Sequence, residues 1–426
     1  MTLPSSDGPT TLSPARIRFA LLALALGGFG IGSTEFVAMG LLPNLASDLL
    51  PGLYAADPSA ANAQAGWLIS AYALGVVVGA PTIAAAAARW PRKQLLLALL
   101  AAFTLGTVAS ALLPSFELVL AARFLSALPH GAYFGIASLV AASLLGPGKR
   151  ARGVALVLSG LTIANVVGVP AITWLGQSAG WRAAYLVVAA IFAATFLAVV
   201  LAMPWQAGDR AATMRNELKA FTRAQVWFAL AIGAIGFGGL FAVYSYVAPL
   251  VTDVTGLNAG AVPFVLVVIG VGMTVGNLVG GAFADRSVRR TMYAFFGVML
   301  LALVGLALTA TNIVGLLLFL FLVGASAAAL APTIQTRLMD VARDSQSIAA
   351  ALNHSALNLG NALGAYLGGL AIATGLGYVA PVWIGLGLSA VGVLFAVVTF
   401  AIDRERRRRG FVVPYGTGLV ETVEPA

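Results

Sequence analysis

The 426-residue sequence predicts an all-α membrane protein: about twelve transmembrane helices in two parallel six-helix bundles. Three observations carry this expectation. Hydrophobic residues make up 60% of the chain and charged residues only 9%, with 48 glycines besides. A soluble domain carries about a quarter charged residues, so a water-soluble surface of this size could not be covered. The apolar residues fall into stretches long enough for the ~20 positions that a helix needs to cross a bilayer core. Features of the first half recur in the second at offsets of 196 and 197 positions. The same composition excludes disorder. The absence of cysteine excludes disulfides, thiol nucleophiles and cysteine metal ligands. The two histidines stand far apart in sequence, and no metal site is expected.

The apolar stretches lie at about 17–42, 63–88, 94–113, 118–145, 153–175, 183–203, 225–250, 261–284, 291–311, 313–336, 347–374 and 379–401. They are called spans one to twelve below. The first follows Arg16 and Arg18 like a signal peptide. It is too long for a signal's apolar core and more spans follow, so it reads as an uncleaved first helix.

The basic residues set the orientation. Arg16 and Arg18 precede span one, and Arg89, Arg92 and Lys93 follow span two. Lys149, Arg150 and Arg152 follow span four; Arg210, Arg215, Lys219 and Arg223 follow span six. Arg286, Arg289 and Arg290 follow span eight, Arg337 and Arg343 follow span ten, and Arg404 and Arg406–Arg409 follow span twelve. Thus 22 of the 24 basic residues share one side. The positive-inside rule makes that side cytoplasmic, with both termini there. The net charge of +9 is therefore read as lipid-facing anchorage, and no nucleic-acid partner is expected.

Gly75 and Gly79 of span two match Gly272 and Gly276 of span eight, each 197 positions later. Arg89, Arg92 and Lys93 match Arg286, Arg289 and Arg290 at the same offset. Asn165 and Gly168 of span five match Asn361 and Gly364 of span eleven. The domain reading is a six-helix bundle over 1–203, a cytoplasmic linker over 204–224, a second bundle over 225–402 and a cytoplasmic tail over 403–426. A parallel repeat of this kind allows two bundles to rock about a site between them. Retention of the repeat for folding alone is the alternative.

These residues resemble the major facilitator superfamily. The segment GAFADRSVRR (281–290) is similar to its loop signature, through Gly281, Asp285, Arg286, Arg289 and Arg290, with Val288 at the inner glycine. The first-half copy keeps Arg89, Arg92 and Lys93 but has Ala84 and Ala88 in place of the glycine and aspartate. Within the superfamily the chain resembles the drug:proton antiporter-1 branch, with arabinose-efflux-like and chloramphenicol-resistance-like exporters. GSTEFVAMGLLP (32–43), ARFLSALPHGAYFG (122–135), GLTIANVVGVP (160–170), GWR (180–182) and GFGGLFAVYSYVAP (236–249) carry that likeness. Gly168 and Pro170 resemble the antiporter signature of the fifth helix, with one residue inserted. Proline there removes a backbone hydrogen bond and kinks the helix. The resemblance implies the major facilitator fold, no enzymatic activity, and a monomer in the bacterial inner membrane. It also implies a proton gradient, and no cofactor, as the energy source.

Glu35 stands within span one and Arg123 within span four, each a costly charge at depth. Their similar depth suggests an ion pair. Glu35 is the expected proton carrier, with a satisfied structural carboxylate as the alternative. Arg123 occupies the family's fourth-helix arginine, which implies proton coupling; a structural counter-ion is the alternative. His130 follows Arg123 by two helical turns on one face. His354, Asn358 and Asn361 share a face of span eleven. With Tyr72, Phe134, Asn165, Tyr244 and Tyr246 they are candidates to line a substrate cavity; interhelical hydrogen bonding and packing are the alternatives. Gly148-Lys149 and Gly270-Val271-Gly272 lack the rest of a phosphate-binding or dinucleotide-binding pattern.

The expected function is proton-driven export of small neutral or lipophilic molecules. A sugar or metabolite exporter is one alternative, and a non-transporting membrane sensor another.

Overall fold

The computed structural model describes residues 13–87, 89–146, 150–207, 222–342 and 346–409. Ala88, Lys149, Arg210, Arg215, Lys219, Arg343, most of the 204–224 linker and the tail beyond 409 lie outside the described residues.

Eleven helices among the described residues are long and apolar enough to cross a membrane. One of them, Val262–Thr309, has 48 residues. At 1.5 Å per residue it is ~72 Å long, more than twice a bilayer core. Ser287 breaks it with extended backbone angles, φ −165° and ψ 100°. This helix therefore makes two crossings, spans eight and nine, and the total is twelve. The sequence suggests a loop of several residues at this joint. The structure has a single non-helical residue with helix on both sides.

Span one is Pro14–Gly40, opened by Ser13, whose hydroxyl accepts from the Arg16 N–H. Short helices Leu42–Leu49, Pro51–Ala56 and Pro58–Ala65 lead to span two, Trp67–Ala87. Span three is Arg92–Leu112. Span four comprises Phe116–Ala127 and His130–Leu145, interrupted at Leu128-Pro129, where Pro129 has no N–H to continue the helical hydrogen bonds. Span five runs Arg150–Ile163, then a π turn at Ala164–Gly168, then Val169–Ala179. The kink that Pro170 predicts thus takes the form of a wide turn just before it, a common accommodation of a missing N–H. Span six is Trp181–Ala202. Span seven joins Ala224–Ala231 and Gly238–Tyr244 through a π turn at Ile232–Gly236. Spans ten to twelve are Ile313–Ala342, Gln346–Ala373 and Ala380–Arg408.

In lipid there is little hydrophobic drive between helices, so close packing and small residues join them. The repeated glycines serve this in both halves. A Cβ at Gly75 or Gly79 would strike the backbone of Phe124 or Leu128, bringing spans two and four together. One at Gly272 or Gly276 would strike the backbone of Phe321 or Ala325, bringing spans eight and ten together. Between the halves, span two packs on span eleven and span five on span eight. Ser70 Oγ donates to the Ala362 carbonyl at 3.2 Å across the first seam. Gly270 abuts the Asn165 carbonyl across the second.

Candidate coupling site

Glu35 is 5% exposed, on the buried face of span one. Its carboxylate accepts from Asn361 Nδ2 of span eleven at 3.5 Å. The partner of the first-half acid is therefore a neutral amide from the second half. The suggested ion pair with Arg123 is not formed. Among the described residues the ion pairs are Arg182–Asp48, Arg337–Asp403 and Arg409–Glu405.

Arg123 is 1% exposed and satisfied otherwise. Nε donates to the Leu68 carbonyl at 3.0 Å. Nη1 donates to the Thr34 carbonyl at 3.2 Å and to Tyr185 Oη at 3.0 Å. The rings of Tyr72 and Tyr185 lie 4.8 and 5.5 Å from its guanidinium carbon. Two carbonyl dipoles, a phenol and two π faces thus hold the cation without an anion. Its Nη2 is buried with no hydrogen-bond partner. The Thr34 carbonyl belongs to the residue before Glu35, so Arg123 grips the backbone beside the acid while the acid reaches across the seam.

Tyr72 links this centre to His130. Its ring lies under Arg123, and its hydroxyl is 3.3 Å from His130 Nδ1. His130 meets His354 of span eleven at 6.1 Å between ring centroids. Phe134 stacks on His354 at 5.4 Å with planes 1° apart. Asn358 donates to its own helix, at the His354 carbonyl, 3.1 Å away. The oxygens of Asn358, Asn361 and Asn165 are buried without partners, as are Ser33 Oγ and the Tyr244 hydroxyl. Tyr244 packs on Phe36 of span one at 5.6 Å. Tyr246 donates to the Ala365 carbonyl at 2.7 Å and fills the notch at Gly66 and Gly369. Arg123, Tyr72, His130, Phe134 and His354 are thus joined through direct contacts, and the Glu35–Asn361 contact lies beside them, tied in through the Thr34 carbonyl that Arg123 holds. Asn165 sits at the other seam, and Tyr246 bonds within its own half.

The residues of the loop and fifth-helix signatures, which the resemblance implies take part in gating, divide. Gly168 packs against Phe29 and Ser33, and Pro170 is buried. Arg92 N–H donates to the Gln206 carbonyl at 3.0 Å, and Lys93 Nζ to the Val200 carbonyl at 2.8 Å. Both tie span three to the end of span six. Arg89, Asp285, Arg286, Arg289 and Arg290 are exposed. Arg286 lies over the Phe283 ring, and open space surrounds Gly281.

One charged cluster does not follow the sequence pattern. Arg337 reads as a loop residue after span ten, and Asp403 as part of the tail. Both are buried, 1% and 2% exposed, and they pair at 2.7 Å. Helix extends to Ala342 and Arg408, carrying both residues into the second bundle. Gln225 Oε1 and Thr399 Oγ1 also accept from Arg337, at 3.0 and 3.3 Å. The available signal was polar: Gln225 and Thr399 at the matching ends of spans seven and twelve.

The family model described as Major Facilitator Superfamily matches residues 24–345 and 230–418. "Inner membrane transport protein YdhP" of Escherichia coli (strain K12) is 40% identical over 363 residues, 85% of this chain and 91% of that one. "Chloramphenicol resistance protein" of Streptomyces lividans is 33% identical, over 91% of this chain and 99% of that one. "Putative transporter AraJ" of Escherichia coli (strain K12) is 34% identical, over 84% and 89%. The crystal structure of a D-xylose-proton symporter superposes with a TM-score of 0.71, covering 89% of this chain and 97% of that one. At 16% identity this is a likeness of fold.

Proposed function

The chain belongs to the Major Facilitator Superfamily and is thus a membrane transporter and not an enzyme; from that premise we propose that it is a proton-coupled exporter of small neutral or lipophilic molecules, acting by alternating access. It sits in a bacterial inner membrane as a monomer, with both termini cytoplasmic. The proton gradient is its energy source, and no cofactor takes part.

The observation that carries this reading is the contact of Glu35 with Asn361 across the seam. Any motion that opens the seam on this side changes the surroundings of the carboxyl. An ionised carboxylate in a dry interior is costly, and a protonated one much less so. The closed seam is therefore matched to a protonated Glu35, and the wetted seam to an ionised one. Binding of a proton and binding of substrate then bias the same two-state scaffold, which is reciprocal coupling. Arg123, held by Thr34 and Tyr185, fixes the helix segment that carries the acid and supplies a nearby positive charge. One charge moved across 100 mV yields about 2.3 kcal/mol, enough for a ~50-fold substrate gradient.

The name of the Streptomyces relative supports a drug-like substrate. The unpartnered oxygens of Asn165, Asn358 and Asn361 favour a second reading, a sugar or metabolite exporter, because they suit substrates rich in hydroxyl donors. Proteoliposomes with an imposed pH gradient test both. Wild type should accumulate chloramphenicol-like compounds in preference to sugars, and Glu35→Gln should lose gradient-driven accumulation while keeping substrate exchange. Undiminished accumulation by Glu35→Gln would remove the proton role from Glu35. Preference for sugars would reverse the substrate assignment.

A further inference from the structure

The chain has two histidines, one in each half, and the fold brings them together. They meet on one side of the Glu35–Asn361 contact. His130 is seven residues beyond Arg123 and His354 seven residues before Asn361, ~10 Å along each helix. The displacement is toward the face where the basic residues cluster. There Ser355 Oγ also reaches the Val77 carbonyl across the seam at 3.4 Å.

The cluster holds little water and suits neutral rings, with His130 buried and His354 half-buried. His130 is 2% exposed, and Phe134 is also 2% exposed. Among the described residues, Tyr72 is the one ionisable side chain in contact with either imidazole besides the other. No acid among the described residues is seen in contact with them. Arg123 lies beyond the Tyr72 ring, Tyr133 on the same helix donates to the Leu24 carbonyl, and Glu35 contacts Asn361. On the neighbouring spans ten and twelve, Arg337 is paired with Asp403; Asp340 also stands on span ten, and Tyr244 and Tyr246 on and just beyond span seven. An imidazole ordinarily changes charge between pH 5 and 8. Two imidazolium rings about 6 Å apart, with no counter-ion and little water, repel strongly. Separation of the halves relieves that repulsion and hydrates both rings.

We propose that His130 and His354 form a second proton-binding site shared between the halves, and that loading it parts the seam on the basic face. The site rests on the alternating-access reading above, but not on the role of Glu35. It makes opening toward that face sensitive to the pH of the compartment it faces.

The lack of cysteine permits a direct test. Leu201→Cys and Arg404→Cys place one exposed spin label per half, at the basic-face ends of spans six and twelve. Electron–electron distances are measured on the full chain in nanodiscs at pH 8 and pH 5.5. The long-distance population should rise about tenfold at the lower pH, the response of a group titrating between them. His130→Gln and His354→Gln should each flatten the response. His354→Arg, with a permanent charge, should hold the long distance at both pH values, a result that misfolding does not imitate. A wild type without a pH response overturns the proposal, as does a response that survives both glutamine variants. If Glu35→Gln alone abolishes the response, the proton site is Glu35 and the histidine proposal fails. If Glu35→Gln keeps both the response and gradient-driven transport, the histidine site stands and the Glu35 reading fails.

Discussion

Two buried arginines, one in each half, are held in opposite ways. Arg337 has a carboxylate at 2.7 Å, from Asp403 of its own bundle, and two further polar partners. Arg123 has carbonyls, a phenol and aromatic faces, while the nearby acid bonds to the other half. The two are equally buried. A cation neutralised inside one bundle is an anchor: nothing in a rocking motion changes its partners. In the proposed mechanism, a cation held by dipoles leaves its acid free to exchange protons as the seam opens and closes. In this chain, burial of charge alone does not mark a coupling site. The mark proposed for one is an acid whose partner lies in the opposite half.

Substitutions at both arginines and their partners separate anchor from coupling site. The largest effect is expected at the anchor. Asp403→Asn or Arg337→Met leaves one buried charge unmatched and should cost about 3–5 kcal/mol, whereas the double change Arg337→Met with Asp403→Leu should recover most of that cost. Thermal denaturation in detergent measures both; equal losses in single and double variants would make the pair unimportant as a pair. Next, Glu35→Gln should collapse a ~50-fold substrate gradient to equality, with little change in melting temperature, since glutamine can still meet Asn361. A large stability loss would place Glu35 with the anchors. Arg123→Lys keeps the charge but loses the fork that reaches Leu68, Thr34 and Tyr185 together. Gradient-driven transport should fall by about tenfold, the equivalent of ~1.4 kcal/mol of lost positioning. The smallest effect is expected for Tyr185→Phe. It removes one hydrogen bond to Arg123, worth about 1 kcal/mol, and should lower stability by that amount while leaving coupling in place.

Much of this architecture is readable in the chain because a bilayer imposes a single length on every crossing. Twelve apolar runs, and Glu35 and Arg123 standing out within two of them, follow from that constraint. Arg337 and Asp403 are invisible to the same logic. Each lies at the end of an apolar run beside other polar residues, where a charge normally marks the membrane surface. Only the continuation of spans ten and twelve by several residues carries them indoors. The meeting of His130 with His354, and of Glu35 with Asn361, is likewise unreadable. Each pair joins different halves, and no periodicity relates helices that face one another across a seam. The expected Glu35–Arg123 pair fails for a related reason. Depth along a helix can be counted from sequence, but the direction in which a side chain leaves the helix toward one neighbour or another cannot.

The joint at Ser287 has a mechanical consequence. A single extended residue between two long rods gives little slack. Glycine contacts at Gly272, Gly276 and Gly280 clamp the first rod to span ten as well. The second half is thereby cross-braced like a truss, and under the proposed rocking motion load applied at the Gly270–Asn165 bearing would pass through the whole brace instead of being absorbed at a hinge. Lengthening the joint with two or three inserted glycines after Ser287 should therefore leave each rod intact but slow the working stroke, as a loosened linkage does in any lever.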